Sequence, residues 1–330
     1  MKRIILIIFF FIFLVVILIP IFLVKGVTLF PSILPNKGVM LQVYIKDLDK
    51  IIKMDSEEYL KGVVAAEMPA DFELEALKAQ AVAARTILMK RAKVYGGSGC
   101  SLHLDADICT DPVHDQAWIS TSDLRKKYGF WGYLKNWRKI SKAVNDTKGL
   151  IITYNGQIID AVFHSTSGGM TENPEDVWGT PLPYLRSVVS DWEGHSPFLY
   201  DTKEFTLGDL STIFDASFDP TQMTVTGGGA QGSSGSIIRT LATSSTGRIK
   251  VMKIGDKLLE GSEIRRLLGL RSTRFTWQII GTDTVRFTTI GYGHGVGMSQ
   301  YGADGLARRG RNFQEILEYY YSGAKVTKIN

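Results

Sequence analysis

EEYLKGVVAAEMPADFELEALKAQAVAARTI, residues 57–87, reads as two helices separated by a proline. In the first, Leu60, Val63, Val64 and Met68 recur at three- and four-residue steps, the spacing of one apolar helix face. Asp55 or Ser56 stands where an N-cap belongs, and Glu57 and Glu58 fall in the first turn, where the helix dipole favours acids. Pro69 stops the helix. In the second, Leu74, Leu77, Ala81, Ala84 and Leu88 repeat in the same way and predict a helix over residues 74–95, ended by Gly96 and Gly97.

Glu67 is the residue here with chemical potential. It follows Leu60, Val63 and Val64 by seven, four and three residues and so shares their face. A carboxylate near a helix C-terminus meets an unfavourable dipole, and on an apolar face it meets little water; both raise its pKa. A carboxyl with a raised pKa is what general acid catalysis at neutral pH requires. The plainer alternative is a glutamate at the edge of that face, reaching out to solvent.

Toward the N-terminus, Leu41, Val43 and Ile45 alternate and predict a strand over residues 40–45. Residues 28–39 contain Pro31, Pro35, Asn36 and Gly38 and read as a stem. Residues 4–24 carry no charge and are broken only by Pro20; at about 1.5 Å per residue they can span a hydrocarbon core of roughly 30 Å. Lys2 and Arg3 precede this run, which keeps the N-terminus cytoplasmic and sends the rest outside. A cleaved signal peptide would need a shorter apolar core and a small-x-small site, and Leu23, Val24, Lys25 and Gly26 offer none. The expectation is a single-pass anchor within residues 1–27.

Toward the C-terminus, residues 150–154 and 157–163 flank Asn155-Gly156, the signature of a hairpin. Residues 226–236, TGGGAQGSSGS, read as a flexible surface loop. They fall inside residues 200–285, a run of short strands with a helix over 261–268 that reads as an inserted β-rich subdomain. A Gly-rich loop over 291–302 and a helix over 313–320 close the chain. The fold class is α+β: a mixed helix and antiparallel-sheet core over 40–199 and 286–330, with the insert between. The charge excludes one class of function. Of 38 Lys and Arg residues, Lys2, Arg3 and Lys25 flank the anchor, leaving 35 against 33 acids, too even a balance for nucleic acid.

Three further segments could carry chemistry. In FHSTSGG, residues 163–169, a strand ends in hydroxyl residues and glycines, where backbone can approach a ligand closely; this is a sugar-binding rim or simply a hairpin turn. A Ser/His nucleophile is disfavoured, because no Gly-x-Ser-x-Gly elbow is present and neighbours on a strand point to opposite faces. GYGHGVGMSQYG, residues 291–302, lacks the Lys-Ser/Thr of a phosphate loop and reads as a loop threading beneath an active site. Cys100, His103, Cys109 and His114, followed by Asp115, match no standard finger spacing; zinc, a disulfide and two free thiols all stay open.

Taken together, residues 57–87, 163–188 (FHSTSGGMTENPEDVWGTPLPYLRSV), 247–276 (GRIKVMKIGDKLLEGSEIRRLLGLRSTRFT) and 291–323 (GYGHGVGMSQYGADGLARRGRNFQEILEYYYSG) resemble the stage II sporulation protein D family, which shares its domain with amidase enhancers. The resemblance implies a lytic transglycosylase acting on peptidoglycan glycan strands stripped of stem peptides, with Glu67 as the acid/base residue and no required cofactor. It also implies substrate contacts from the two loops, at His164, Ser165, Ser167, Gly168, Gly169, His294, Gln300 and Tyr301. Family members that bind zinc have a His-x5-Cys pattern with a second Cys six positions on; His103 and Cys109 match, but Asp115 holds the second position. The implied setting is engulfment, on the mother-cell side facing the forespore, beside a membrane-bound amidase and its membrane partner. The alternatives are a non-catalytic amidase activator that binds glycan, and a zinc hydrolase built on His103, Cys109 and His114.

Overall fold

The computed structural model describes residues 38–112, 114–218 and 237–329. The expected anchor, nearly all of the stem and the Gly/Ser-rich run 226–236 lie outside them. Among the described residues no helix is long and apolar enough to cross a membrane. The architecture is α+β.

The chain opens with an antiparallel pair, β1 (Met40–Ile45) and β2 (Lys50–Asp55), in register from Met40 opposite Asp55 to Ile45 opposite Lys50. Leu41, Val43 and Ile45 are the buried face of β1. Asp55 caps α1 (Ser56–Glu67), accepting the Glu57 and Glu58 N–H groups, and Met68 leaves the helix in extended conformation before Pro69. α2 (Leu74–Arg91) follows. It ends four residues before the expected Tyr95, because Ala92 turns extended and the next turn, Lys93–Tyr95, is a separate 3-10 turn. Asp107, which accepts the Val94 N–H at 3.2 Å, holds the chain in that bend.

α2 is the axis of the core. Ala76, Leu77, Ala79, Ala81, Val82, Ala83 and Ala84 are all fully buried. Small side chains on every face let α1, α3 (Thr121–Asp146), α7 (Gln300–Arg308), α8 (Phe313–Tyr320) and β4 (Leu150–Tyr154) pack around it. One charge lies inside this packing. The Arg85 guanidinium donates from Nε and Nη2 to both carboxylate oxygens of Glu57, at 3.1 and 2.8 Å. It also reaches the carbonyls of Thr147 at 2.8 Å and Val144 at 3.1 Å. Every donor is satisfied, the condition for burying such a group.

α3 was not anticipated from sequence. Its apolar period is broken at Gly129, which has φ 67° and kinks the helix. Ser120 caps its start by accepting the Asp123 N–H. After β3 (Ile108–Cys109), which lies parallel to β1, the next pairings are β4 with β5 (Gln157–Ile158) and β4 with β16 (Lys325–Lys328). The Asn155-Gly156 turn has φ of 50° and 78°, as such a hairpin demands. The hairpin is shorter than expected. Asp160 is drawn out to Lys90 and to the Tyr184 hydroxyl, and the chain swings away. β6 (Phe163–His164) therefore pairs elsewhere, in parallel with β15 (Met298–Ser299).

β7 (Gly169–Met170) and β8 (Val189–Ser190) form a short antiparallel pair around α4 (Pro174–Trp178). A second hydrophobic cluster gathers β9 (Tyr200–Thr206), α5 (Leu207–Phe214), β10 (Ile238–Thr243), β11 (Ile249–Ile254), β12 (Lys257–Glu260), α6 (Gly261–Leu268), β13 (Phe275–Ile280) and β14 (Thr284–Ile290). Met252, Ile254, Ile264, Val285 and Phe287 are fully buried in it. Its tie to the rest is polar. Glu172 accepts from Ser244 Oγ at 2.6 Å, and the buried Arg248 donates to the Ser167 carbonyl at 3.1 Å.

Candidate active site

Glu67 is the last residue of α1, and the stop at Met68-Pro69 leaves its side chain at the head of a groove of about 520 Å³. It is partly buried there. The Ala117 N–H donates to Oε1 at 2.9 Å, and Gln300 Nε2 donates to Oε2 at 3.2 Å. No lysine or arginine pairs with it among the described residues. Burial pushes its carboxyl up from the ordinary value, and the Ala117 and Gln300 donors pull it only part of the way back. The other acid lining the groove, Asp115, pairs with Arg91 and accepts the Cys109 N–H at 2.9 Å. Glu67 is therefore the groove carboxyl that has no cationic partner among the described residues and whose pKa burial raises.

The wall opposite is made by β6 and the 291–297 loop. His164 and Ser165 line it, with Tyr292, Gly293 and His294. The loop fits against the strand because it lacks side chains where they touch. Gly293 has φ 111° and a Cβ there would stand 2.8 Å from the His164 Cβ; at Gly297, φ 73°, it would stand 2.1 Å from the Val162 carbonyl oxygen.

His164 Nδ1 lies 3.1 Å from the Val296 carbonyl, which can only accept, so the proton sits on Nδ1. Burial, with the neighbouring His294 ring and the Arg248 charge, holds the ring well below the ordinary histidine range and therefore neutral. Its Nε2 then presents a bare lone pair, buried and with no partner. His294 has the opposite arrangement: Nδ1 accepts the Val296 N–H at 3.1 Å, and burial pulls the ring down to about 4. Two neutral imidazoles, 5.6 Å apart, thus give the groove one bare acceptor and one ring without charge.

Of the residues expected to touch substrate, Glu67, His164, Ser165, His294 and Gln300 line one groove. Ser167, Gly168, Gly169 and Tyr301 are not among its lining. The Ser167 and Gly168 N–H groups both donate to Glu193 Oε2, at 2.9 and 3.0 Å, and Ser167 Oγ accepts the Gly169 N–H at 3.1 Å. This rim is folded inward around a buried carboxylate. Tyr301 sits in the first turn of α7, where the loop expected to run to Gly302 has already become helix, and packs edge-on to Phe72 at 4.8 Å. Sequence reasoning missed Ala117, whose contribution is a backbone N–H. It also missed Tyr292 and Phe198, although Tyr292 stands inside the quoted glycine run.

Cys100 Sγ, Cys109 Sγ, a His114 nitrogen and an Asp115 oxygen all lie within 4.8 Å of one another. Both cysteines are free thiols, so the disulfide is not formed. Without a cation, burial pushes the Cys109 thiol up to about 12. Two thiols, an imidazole and a carboxylate converging in this way fit the tetrahedral donor set of zinc. His103 is not in the set: its ring stacks on Tyr44 at 3.4 Å. Asp115 stands where the expected pattern has a second cysteine, and Cys100 and His114 supply the donors that His103 does not.

A family model described as "Stage II sporulation protein" matches residues 44–154. The chain is 37% identical over 296 residues to stage II sporulation protein D of Bacillus subtilis (strain 168), an alignment covering 88% of this chain and 80% of that one. It is 36% identical over 297 residues to the Bacillus amyloliquefaciens protein of the same name, covering 90% and 81%. It is also 31% identical over 308 residues to an amidase enhancer of Bacillus subtilis (strain 168), covering 81% of this chain and 40% of that protein. With a raised-pKa carboxyl, a glycine-threaded loop and this breadth of similarity in agreement, the chain belongs to the stage II sporulation protein D family.

Proposed function

We propose that the protein is a lytic transglycosylase of peptide-free peptidoglycan strands, held outside the cell membrane by residues 4–24 and acting in sporulation engulfment. The observation that carries this reading is a single groove carboxyl with a raised pKa and no cationic partner among the described residues. A hydrolase of the common kind needs a second carboxylate to activate water or to attack the sugar. Here Glu67 stands without one, since Asp115 is committed to Arg91 and to the Cys109 N–H.

Glu67 in its acid form gives its proton to the glycosidic oxygen, and the bond from that oxygen to C1 of N-acetylmuramic acid breaks. The C6 hydroxyl oxygen of the same sugar bonds to C1, and its proton returns to Glu67. The leaving strand keeps a free hydroxyl, the new end is a 1,6-anhydro sugar, and no water is consumed. Gln300 and the Ala117 N–H stabilise the carboxylate in between. His164 and His294 line the sugar path as neutral rings and add no charge beside Glu67.

The four donors Cys100, Cys109, His114 and Asp115 would hold zinc. A bound ion there supplies a crosslink and ionises the thiols. Asp115 stands two residues before Ala117, so the same segment that carries the donors carries the N–H that orients Glu67.

A second reading has support in the amidase enhancer relative: a glycan-binding activator of a membrane-bound amidase. One experiment separates the two. The full-length protein and its Glu67→Gln variant are incubated with peptide-free strands, and the products are read by mass spectrometry. Ends in 1,6-anhydro-N-acetylmuramic acid, absent from the variant, support the transglycosylase. Reducing ends point to a hydrolase. Binding without cleavage by either protein would replace the proposal with the activator.

A further inference from the structure

Beside the groove lies a second, larger cleft of about 780 Å³. Phe198 and Tyr292 line both, so the two recesses adjoin at an aromatic saddle. Tyr292 is 41% exposed and meets Phe198 edge-on at 5.5 Å. The first recess holds the raised-pKa carboxyl. The second is basic: Lys203, Arg265, Arg266 and Arg271 line it against the single acid Asp201.

These cations are not equally occupied. Lys203 Nζ is spent on the carbonyls that end α6, at 3.2 Å to Leu268 and 2.8 Å to Gly269. Arg271 lies 3.3 Å from Asp201 and over the rings of Phe198 and Tyr292, at 5.1 and 5.9 Å. Arg265 is different. Among the described residues its guanidinium makes one hydrogen bond, a long one of 3.4 Å to the Leu270 carbonyl, and no carboxylate pairs with it. It is half-buried, and burial pulls its pKa down. A guanidinium withdrawn from water with no counter-charge is costly unless an anion answers it. Its planar fork suits a carboxylate.

We propose that this cleft is a carboxylate subsite, with Arg265 as its anchor, for the free lactyl group of N-acetylmuramic acid in a strand that continues from the Glu67 groove over Tyr292. The proposal rests on the transglycosylase reading and adds its source of selectivity. In a peptide-linked strand the lactyl carboxyl is an uncharged amide bearing a stem peptide. Once the peptide is removed it is a small anion, repeated at every second sugar. A half-buried arginine beside an aromatic saddle binds the second state more strongly than the first, because only the second brings a counter-charge.

The test uses binding, so that it does not depend on turnover. Full-length protein carrying Glu67→Gln is titrated with fluorescently labelled peptide-free strands, and with the same strands after conversion of their lactyl carboxylates to neutral methyl amides. Anisotropy gives the dissociation constants. The amide strands are expected to bind about tenfold more weakly, the scale of one charge-assisted hydrogen bond near a surface. Adding Arg265→Gln removes that difference by weakening only the carboxylate strands, and Arg265→Lys restores part of it. Equal binding of the two strands overturns the proposal without any variant, so a misfolded Arg265→Gln cannot rescue it. Equal weakening of both strands by Arg265→Gln overturns it too. Inorganic phosphate competing as well as N-acetylmuramic acid would reassign the cleft to phosphate-bearing polymers. Failure of the transglycosylase reading is seen separately, in the absence of anhydro ends.

Discussion

Gln300 Nε2 lies 3.2 Å from Glu67 Oε2, joining the first turn of α7 to the end of α1 across 233 residues of chain. The amide donates to the carboxylate form and so favours ionisation. Gln300→Leu should lower kcat about tenfold, the scale of one lost hydrogen bond to a charge. It should also raise the Glu67 pKa and carry the alkaline limb of the pH–rate profile upward. A fall in rate with the limb unmoved would mean that Gln300 only supports the fold.

Glu67→Gln should remove turnover by a factor of about 10²–10⁴ and leave stability equal or better. The sign follows from the raised folded-state pKa. The folded protein holds this proton more tightly than the unfolded chain does. The resulting stabilisation is present below the unfolded pKa and is lost as pH rises through the folded one. At neutral pH the charged carboxylate is a burden that Gln lacks. Thermal melts at pH 4 and pH 8 check this: the variant's advantage should appear only at the higher pH.

Zinc added to metal-free protein should bind once per chain, raise Tm and protect Cys100 and Cys109 from thiol reagents. Cys109→Ser should abolish all three effects, and His103→Ala none, since His103 stacks on Tyr44 outside the cluster. Loss of binding in His103→Ala would show that a different donor set is used.

Gly293→Ala should destabilise the protein by about 1–3 kcal/mol, because alanine is strained in left-handed backbone and its methyl would stand 2.8 Å from the His164 Cβ. Turnover should fall with it as His164 is displaced. Chemical denaturation beside an activity assay separates the two losses. Gly310→Ala is the control: it shares the positive φ, at 83°, but has open space around it.

Arg85→Met should cost about 3–5 kcal/mol, since it leaves Glu57 buried without its partner. The double variant with Glu57→Leu should recover much of that loss. A single variant as stable as the parent would show that Glu57 finds another donor.

What the sequence disclosed depended on how local each cause is. Asp55 as a cap, Asn155-Gly156 as a turn and Glu67 on an apolar face follow from neighbours within a few residues, and the structure has all three. The inward turn of Ser167, Gly168 and Gly169 depends on Glu193, a quarter-hundred residues further along, and hydroxyls and glycines look alike in a rim or a hinge. The Ala117 N–H was illegible for a deeper reason: every residue but proline has one. Gly129 hid α3 by breaking its period.

The parallel pairing of Phe163 with Met298 and His164 with Ser299 has a temporal consequence. Chains are made from the N-terminus, so α1 and Glu67 emerge long before the loop and helix that complete their groove. Until residue 300 arrives, the carboxyl has neither its amide partner nor its opposite wall. The surroundings of Glu67 are thus complete only when the final tenth of the chain has been made.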